Sequence, residues 1–174
     1  MSSNTEPTSL ISTSDLAPRK KIYFYSKHQA YASFSNFSNH AVFYDEKRYP
    51  TSEHLFHAFK FMEHRPDLAE HIRTYSDKPR DALSQARKYK LEQRKDWFDV
   101  NVEKMDIVLY HKFTQHKALR KELLDTGDAE LIEDSKVDSF WGIGADKSGR
   151  NELGKALMRL RAQLGQEGSN STSV

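Results

Sequence analysis

The segment TSEHLFHAFKFMEH, residues 51 to 64, brings a carboxylate and an amine into one periodic stretch. On a helix turning about 100° per residue, Leu55, Ala58, Phe59 and Met62 share one face, and Glu53, Phe56, His57, Lys60 and His64 gather on the other. Glu53 and Lys60 are then two turns apart, about 10.5 Å along the axis, so their side chains can close on a ligand between them. A carboxyl moves protons, and a neutral amine attacks electrophilic carbon. The plain alternative is a solvent-facing polar stripe. Phe56 disturbs that stripe, because an aromatic ring there implies a face covered by more protein or by a flat ligand. Metal chemistry disagrees with the spacing: His54 and His57 are three apart with Glu53 ahead of both, unlike an H-E-x-x-H helix, and His111 and His116 read as scattered surface histidines. No metal and no cofactor are expected.

A second candidate region is DSKVDSFWGIGADKSGRN, residues 134 to 151, a long loop without clear period. Val137, Phe140, Trp141 and Ile143 are too apolar for a disordered segment. Gly142, Gly144 and Gly149 can bring backbone N–H groups close to a ligand, and a helix starting after Asn151 adds unpaired donors, so phosphate suits this place. No Walker or dinucleotide fingerprint is present. Asp138, beside two aromatic residues, is either a partly buried general acid or a surface carboxylate. In a third region, YASFSNFSNH (31 to 40), Phe34 and Phe37 bracket Ser35 and Asn36; such rings stack on heterocycles or plug a core, and the amide can hydrogen-bond ribose.

The elements that must position these groups follow from periodicity. Residues 1 to 19 and 165 to 174 are Ser-, Thr- and Gly-rich and read as mobile tails, leaving a domain over 20 to 164. Aromatic and small polar residues from Lys21 to Tyr49 suit short strands and turns. Beyond Thr51 the period is helical: starts near 66 and 78 at Pro66 and Pro79, a long helix from about Asp96 to His116 with Val102, Met105, Leu109 and Phe113 inward, and a helical pattern ending at Gly127. Ala129 to Ile132 is a short strand or helix. A last helix, N-capped by Asn151 and stopped at Gly165, buries Leu153, Leu157, Leu160 and Leu164. The fold class is α+β: one predominantly helical domain with a small sheet from its N-terminal part.

The 174 residues carry 27 Lys or Arg against 25 Asp or Glu, a net charge of +2, which does not by itself point to a polyanion. The absence of Cys removes disulfides, Cys-ligated zinc and thiol nucleophiles and favours an intracellular setting. No long apolar run offers a membrane span or signal peptide. A soluble, monomeric, cytoplasmic protein is expected, with the nucleus as the alternative.

In order, FSNF (34 to 37), SEHLFHAFKF (52 to 61), RKDWFDVNVEKM (94 to 105), KFTQH (112 to 116), ELLDTGDAELIEDS (122 to 135) and DSFWGIGADKSGRNELGKALM (138 to 158) resemble the NADAR, or YbiA-like, family across Tyr23 to Arg161. The resemblance implies a helix-rich α+β hydrolase of ribosyl N-glycosides. Its substrate would be ADP-ribosylated guanine in DNA or RNA or, alternatively, a phosphoribosylamino-pyrimidine of riboflavin synthesis. The first takes precedence because the chain reads as a free-standing domain. It further implies Glu53 as proton shuttle, Lys60 as a Schiff-base nucleophile or a partner of Glu53, and Asp138 assisting. Asn36, Phe37, Arg94, Trp97, Trp141, Gly142, Gly144 and Asn151 would bind sugar, base and phosphate. His57, His116 and the run from Arg87 to Lys90 depart from the family's usual Gln, Asn and Gly-Arg, which bears on base preference and pH response. A module that binds NAD or ADP-ribose without turnover, and a bare scaffold, are the other function classes.

Overall fold

The computed structural model describes residues 18–170; residues 1–17 and 171–174, most of the two expected tails, lie outside the described residues. Alternation sets β1 (Lys21–Phe24), which turns Ile22 and Phe24 inward and leaves Tyr23 exposed. β2 (Val42–Tyr44) and β3 (Lys47–Tyr49) form an antiparallel hairpin. Its turn residues, Asp45 and Glu46, take left-handed angles (φ 48° and 59°), as a two-residue turn with the strands' own twist demands. β4 (Glu130–Glu133) pairs with β1 in parallel, Lys21 opposite Glu130 and Phe24 opposite Glu133. The expected N-terminal sheet is therefore two two-stranded sheets, one of which takes its second strand from residues 130–133.

Six α-helices are present among the described residues: α1 (Ser52–Ala58), α2 (Pro66–Thr74), α3 (Pro79–Lys88), α4 (Trp97–Gln115), α5 (Lys117–Asp125) and α6 (Glu152–Asn170). Pro66 and Pro79 open α2 and α3, where a missing N–H loses no helical bond. α4 buries Met105, Val108, Leu109 and Phe113, each side chain contributing about 1.5–3 kcal/mol of transfer free energy. α6 packs on α4 and β4, and α1 lies against α2, α3 and α4. The close approach of α6 to β4 needs Gly154, because a Cβ there would stand 2.1 Å from the Leu131 carbonyl oxygen. Among the described residues no helix is long and apolar enough to cross a membrane.

One expected boundary is corrected. α6 does not stop at Gly165 but continues to Asn170. Leu164 is buried, Gln163 bonds Glu167 at 3.0 Å, and Glu167 reaches Arg120 of α5 at 4.0 Å; these contacts offset the roughly 1 kcal/mol that an interior glycine costs a helix.

Candidate active site

α1 has seven residues and all are buried, so Glu53, Phe56 and His57 of the expected stripe face protein rather than solvent, while Lys60 is half-buried and His64 exposed beyond the helix. Thr51 precedes it in extended conformation, with its hydroxyl 2.8 Å from His54 Nδ1. His54 Nε2 lies 2.7 Å from the Ser76 carbonyl, which can only accept, so Nδ1 accepts from Thr51. One turn on, His57 Nε2 donates to Glu53 Oε1 at 2.8 Å. Burial pushes the His57 imidazole down and Glu53 opposes this, leaving a neutral ring whose Nδ1 is buried without a partner among the described residues. Glu53 is itself only 7% exposed, and its backbone N–H is taken by the Asn36 carbonyl at 3.2 Å.

Lys60 stands beyond the helix, not on its second turn. The chain tightens after Ala58, where Lys60 N–H bonds the His57 carbonyl and Phe61 N–H that of Ala58. The amine lies 5.2 Å from the centre of the Trp97 ring. Burial lowers its pKa to about 8; Glu53 acts against the shift, and Arg87 and Lys90 add to it. A desolvated amine near neutrality is the state in which lysine attacks carbon.

Phe56, the ring that did not fit a polar stripe, is the hub of an aromatic wall. Its centroid is 5.1 Å from Trp97, 5.3 Å from Trp141 and 5.5 Å from His57, all edge to face. Trp97 is buried at 4% exposure, whereas Trp141 remains half-buried at the end of the long loop. Asp138 aims that loop. Its Oδ1 accepts the N–H groups of Phe140 and Trp141, both at 2.8 Å.

Three expected ligand contacts are differently employed. The donors of Ile143, Gly144, Gly149, Arg150, Asn151, Glu152 and Leu153 all reach carbonyls within the loop and β4, so the expected phosphate cradle is consumed by the fold. Gly142 is buried with no room for a Cβ, which would stand 2.8 Å from the Glu133 carbonyl oxygen. Asn151 is left-handed (φ 53°), and its side chain bridges β4, accepting from Glu133 N–H at 2.9 Å and donating to Leu131 O at 2.8 Å. It does not cap α6. Arg94 has its guanidinium closed by Asp96 and Glu63, and its backbone N–H donates to the Lys60 carbonyl at 2.8 Å. It is a clamp behind the lysine.

Asn36 lies beneath Glu53, its amide nitrogen 3.2 Å from Met105 Sδ and its Oδ1 buried without a partner among the described residues; neighbouring Phe37 is 41% exposed. This segment of 3-10 helix and turns hangs on Lys112 of α4, a residue to which the sequence assigns no role. The ammonium is fully buried and donates to Ser33 O, Ser35 O and Ser38 Oγ at 2.5, 2.9 and 2.7 Å. The histidines stand apart: His116 bonds Ala41 O and meets His40, and His111 packs on Tyr44.

Glu133 was also missed. Burial beside the Asp138 and Glu53 carboxylates pushes its carboxyl up to about 8, and its Oε2 is buried without a partner among the described residues. An acid directly after the apolar pair Leu131–Ile132 was the available signal. Arg87 and Lys90, whose charges bear on Lys60, are exposed cations with no ion-pair partner among the described residues.

The chain as a whole is similar to solved and curated proteins. The solution structure of Escherichia coli YbiA superposes with a TM-score of 0.79 at 38% identity, covering 88% of this chain and 89% of that one. The N-glycosidase YbiA of Escherichia coli K12 is 41% identical over 146 residues, 84% of this chain and 89% of its own. N-glycosidase Npun_R5314 of Nostoc punctiforme is 38% identical over 143 residues, 82% of this chain and 92% of its own. Riboflavin biosynthesis protein VVA0006 of Vibrio vulnificus is 40% identical over 143 residues; the match spans 82% of this chain but 38% of that longer protein. An α+β domain that shares its fold and two-fifths of its residues with such enzymes is an N-glycosidase by class. The chain belongs to the NADAR domain family, whose characteristic sequence covers residues 23–165.

Proposed function

We propose that this N-glycosidase hydrolyses the bond between C1 of a 5-phosphorylated ribose and an exocyclic amine nitrogen, with ADP-ribosylated guanine as its substrate. The observation that carries the reading is the placing of the Lys60 amine on the Trp97 ring, within the field of Glu53 and at a pKa of about 8. Lys60 bonds C1 as the exocyclic amine leaves with a proton, the C1–O4′ ring bond then breaks with its oxygen protonated to give a transient Schiff base, Glu53 shuttles the protons, and water adds to C1 and releases the sugar from the lysine. Trp141 and Phe37 supply the half-exposed rings on which a purine stacks. Arg87 and Lys90 supply positive charge where the diphosphate needs it, in place of the consumed loop donors.

A second reading, hydrolysis of phosphoribosylamino-pyrimidine intermediates, is favoured by the riboflavin-biosynthesis name of the Vibrio relative. Both substrates offer the same reacting carbon. Incubation with ADP-ribosyl-guanosine and, separately, with the phosphoribosylamino-pyrimidine decides between them by chromatographic release of the free base. The first is expected to be cleaved faster, with Glu53→Ala inactive and borohydride trapping an adduct on Lys60. Turnover by Lys60→Ala at the normal rate discards the Schiff base. ADP-ribose binding without cleavage of either compound replaces the enzyme with a sensor.

A further inference from the structure

The carboxyl of Glu133 has no part in the scheme above, yet the fold builds a place for it. It ends β4, where the backbone is pinned on both sides: the N–H donates to Asn151 Oδ1 at 2.9 Å and the carbonyl accepts Ile143 N–H at 3.1 Å. Gly142 roofs that carbonyl so closely that no side chain fits. The side chain's Oε2 is sealed from solvent and bonded to nothing among the described residues.

The charges that bear on it are Asp138, from the loop, and Glu53, from α1, both carboxylates. β1 sets Phe24 beside it in register, and the nearby Lys21 is engaged by Glu130. On α6, Glu152 is already held by Arg150 and Lys155. Like charge and dry surroundings both favour the neutral acid. The neighbouring carboxylates are differently committed: Glu53 Oε1 receives the His57 N–H, and Asp138 Oδ1 receives two backbone N–H groups. A pair of carboxyl groups with opposite tasks, one giving and one accepting a proton, is the arrangement that glycoside cleavage requires.

We propose that Glu133 is the catalytic acid of this enzyme, carrying the proton to the departing nitrogen while Glu53 serves as the base. The inference rests on the N-glycosidase mechanism proposed above. In the first half-reaction the Glu133 proton moves to the exocyclic nitrogen, the C1–N bond breaks with its electron pair on nitrogen, and the free amine leaves. The neutral Lys60 amine bonds C1 and gives up a proton to Glu53. In the second half, water adds its oxygen to C1 and returns a proton to Glu133. The proton on Glu53 goes to the Lys60 nitrogen as the C1–N bond to the enzyme breaks, restoring both carboxyl groups and the free amine.

The test compares wild type, Glu133→Gln and Glu133→Asp on ADP-ribosyl-guanosine from pH 6 to 10, with ADP-ribose binding by calorimetry and melting curves alongside. Glu133→Gln is isosteric with the neutral acid and is expected to fold. It should lose about 10²–10⁴ in kcat, the range for a missing general acid. Its ADP-ribose affinity should stay within roughly threefold, and the alkaline fall in rate expected of wild type should vanish. Glu133→Asp should regain part of the rate and part of that fall. Full activity in Glu133→Gln overturns the inference and leaves the N-glycosidase reading standing. A loss of ADP-ribose binding as large as the loss of rate also overturns it, since Glu133 would then hold the site together. Wild type that cleaves neither candidate substrate removes the underlying reading itself.

Discussion

The backbone N–H of Arg94 donates to the carbonyl of Lys60 at 2.8 Å, and the guanidinium of the same arginine is gripped by Asp96 and Glu63. The turn that carries the Lys60 amine is thus tied to the start of α4, on which Trp97 stands. Arg94→Ala is expected to lower kcat by roughly tenfold through misplacement of the amine. The ion pairs, exposed on their acidic side, contribute only about 1 kcal/mol or less to stability. Steady-state kinetics with parallel melting curves check this, and an unchanged kcat shows that the turn holds itself.

Lys112→Met removes a fully buried donor and leaves the carbonyls of Ser33 and Ser35 without it. Urea denaturation should show a loss of about 2–4 kcal/mol. Because Asn36 and the Glu53 N–H belong to the same hydrogen-bonded segment, activity in the still-folded fraction should fall as well.

Arg87 disfavours the charged form of the Lys60 amine. Replacing it with Ala removes a repelling cation, so the lysine holds its proton more firmly. The ascending limb of the kcat/KM profile, set near pH 8 by Lys60, should move to higher pH in Arg87→Ala. The same substitution should weaken ADP-ribose binding, which calorimetry reads independently.

Glu133 titrates at about 8 in the folded chain against about 4.3 when unfolded. Between those values the folded state binds the extra proton, so stability falls as pH rises from about 4.3 to 8. Glu133→Gln cannot titrate. Its melting temperature relative to wild type should therefore be higher at pH 8 than at pH 5, and a difference independent of pH argues against a buried neutral acid.

Gly154→Ala forces a methyl into the Leu131 carbonyl and the Asn151 amide. Helix propensity would favour alanine, yet overpacking of this kind costs about 1–3 kcal/mol, and at a backbone contact the chain must move. A lowered midpoint in denaturant is expected, with loss of the Glu133 clamp.

Much of the helical framework was legible because its cause is local. Pro66 and Pro79 open α2 and α3, and the spacing of Met105, Leu109 and Phe113 is a property of one helix wherever it packs. The pairing of β1 with β4 is set by distant residues, and no period within either four-residue strand announces it. For the site, Glu53 and Lys60 stood out by residue type, whereas their shared enclosure depends on Phe56 meeting both tryptophans. Glu133 and Lys112 were invisible for the same reason: an acid or an amine in a sequence is ordinary until its neighbours strip it of water. The glycine loop misled in the opposite sense, because N–H groups that composition makes available were already taken by carbonyls brought back from β4 and the loop itself.

The parallel union of β1 with β4 has a consequence for biogenesis. Residue 21 finds its partner only when residue 130 has been synthesised, so a growing polypeptide leaving the ribosome holds β1 unmatched while the hundred or so residues between them are made. Enzymatic competence should therefore wait until β4 has docked on β1 and α6 has packed on β4, and a chaperone arriving earlier would find Ile22 and Phe24 still uncovered.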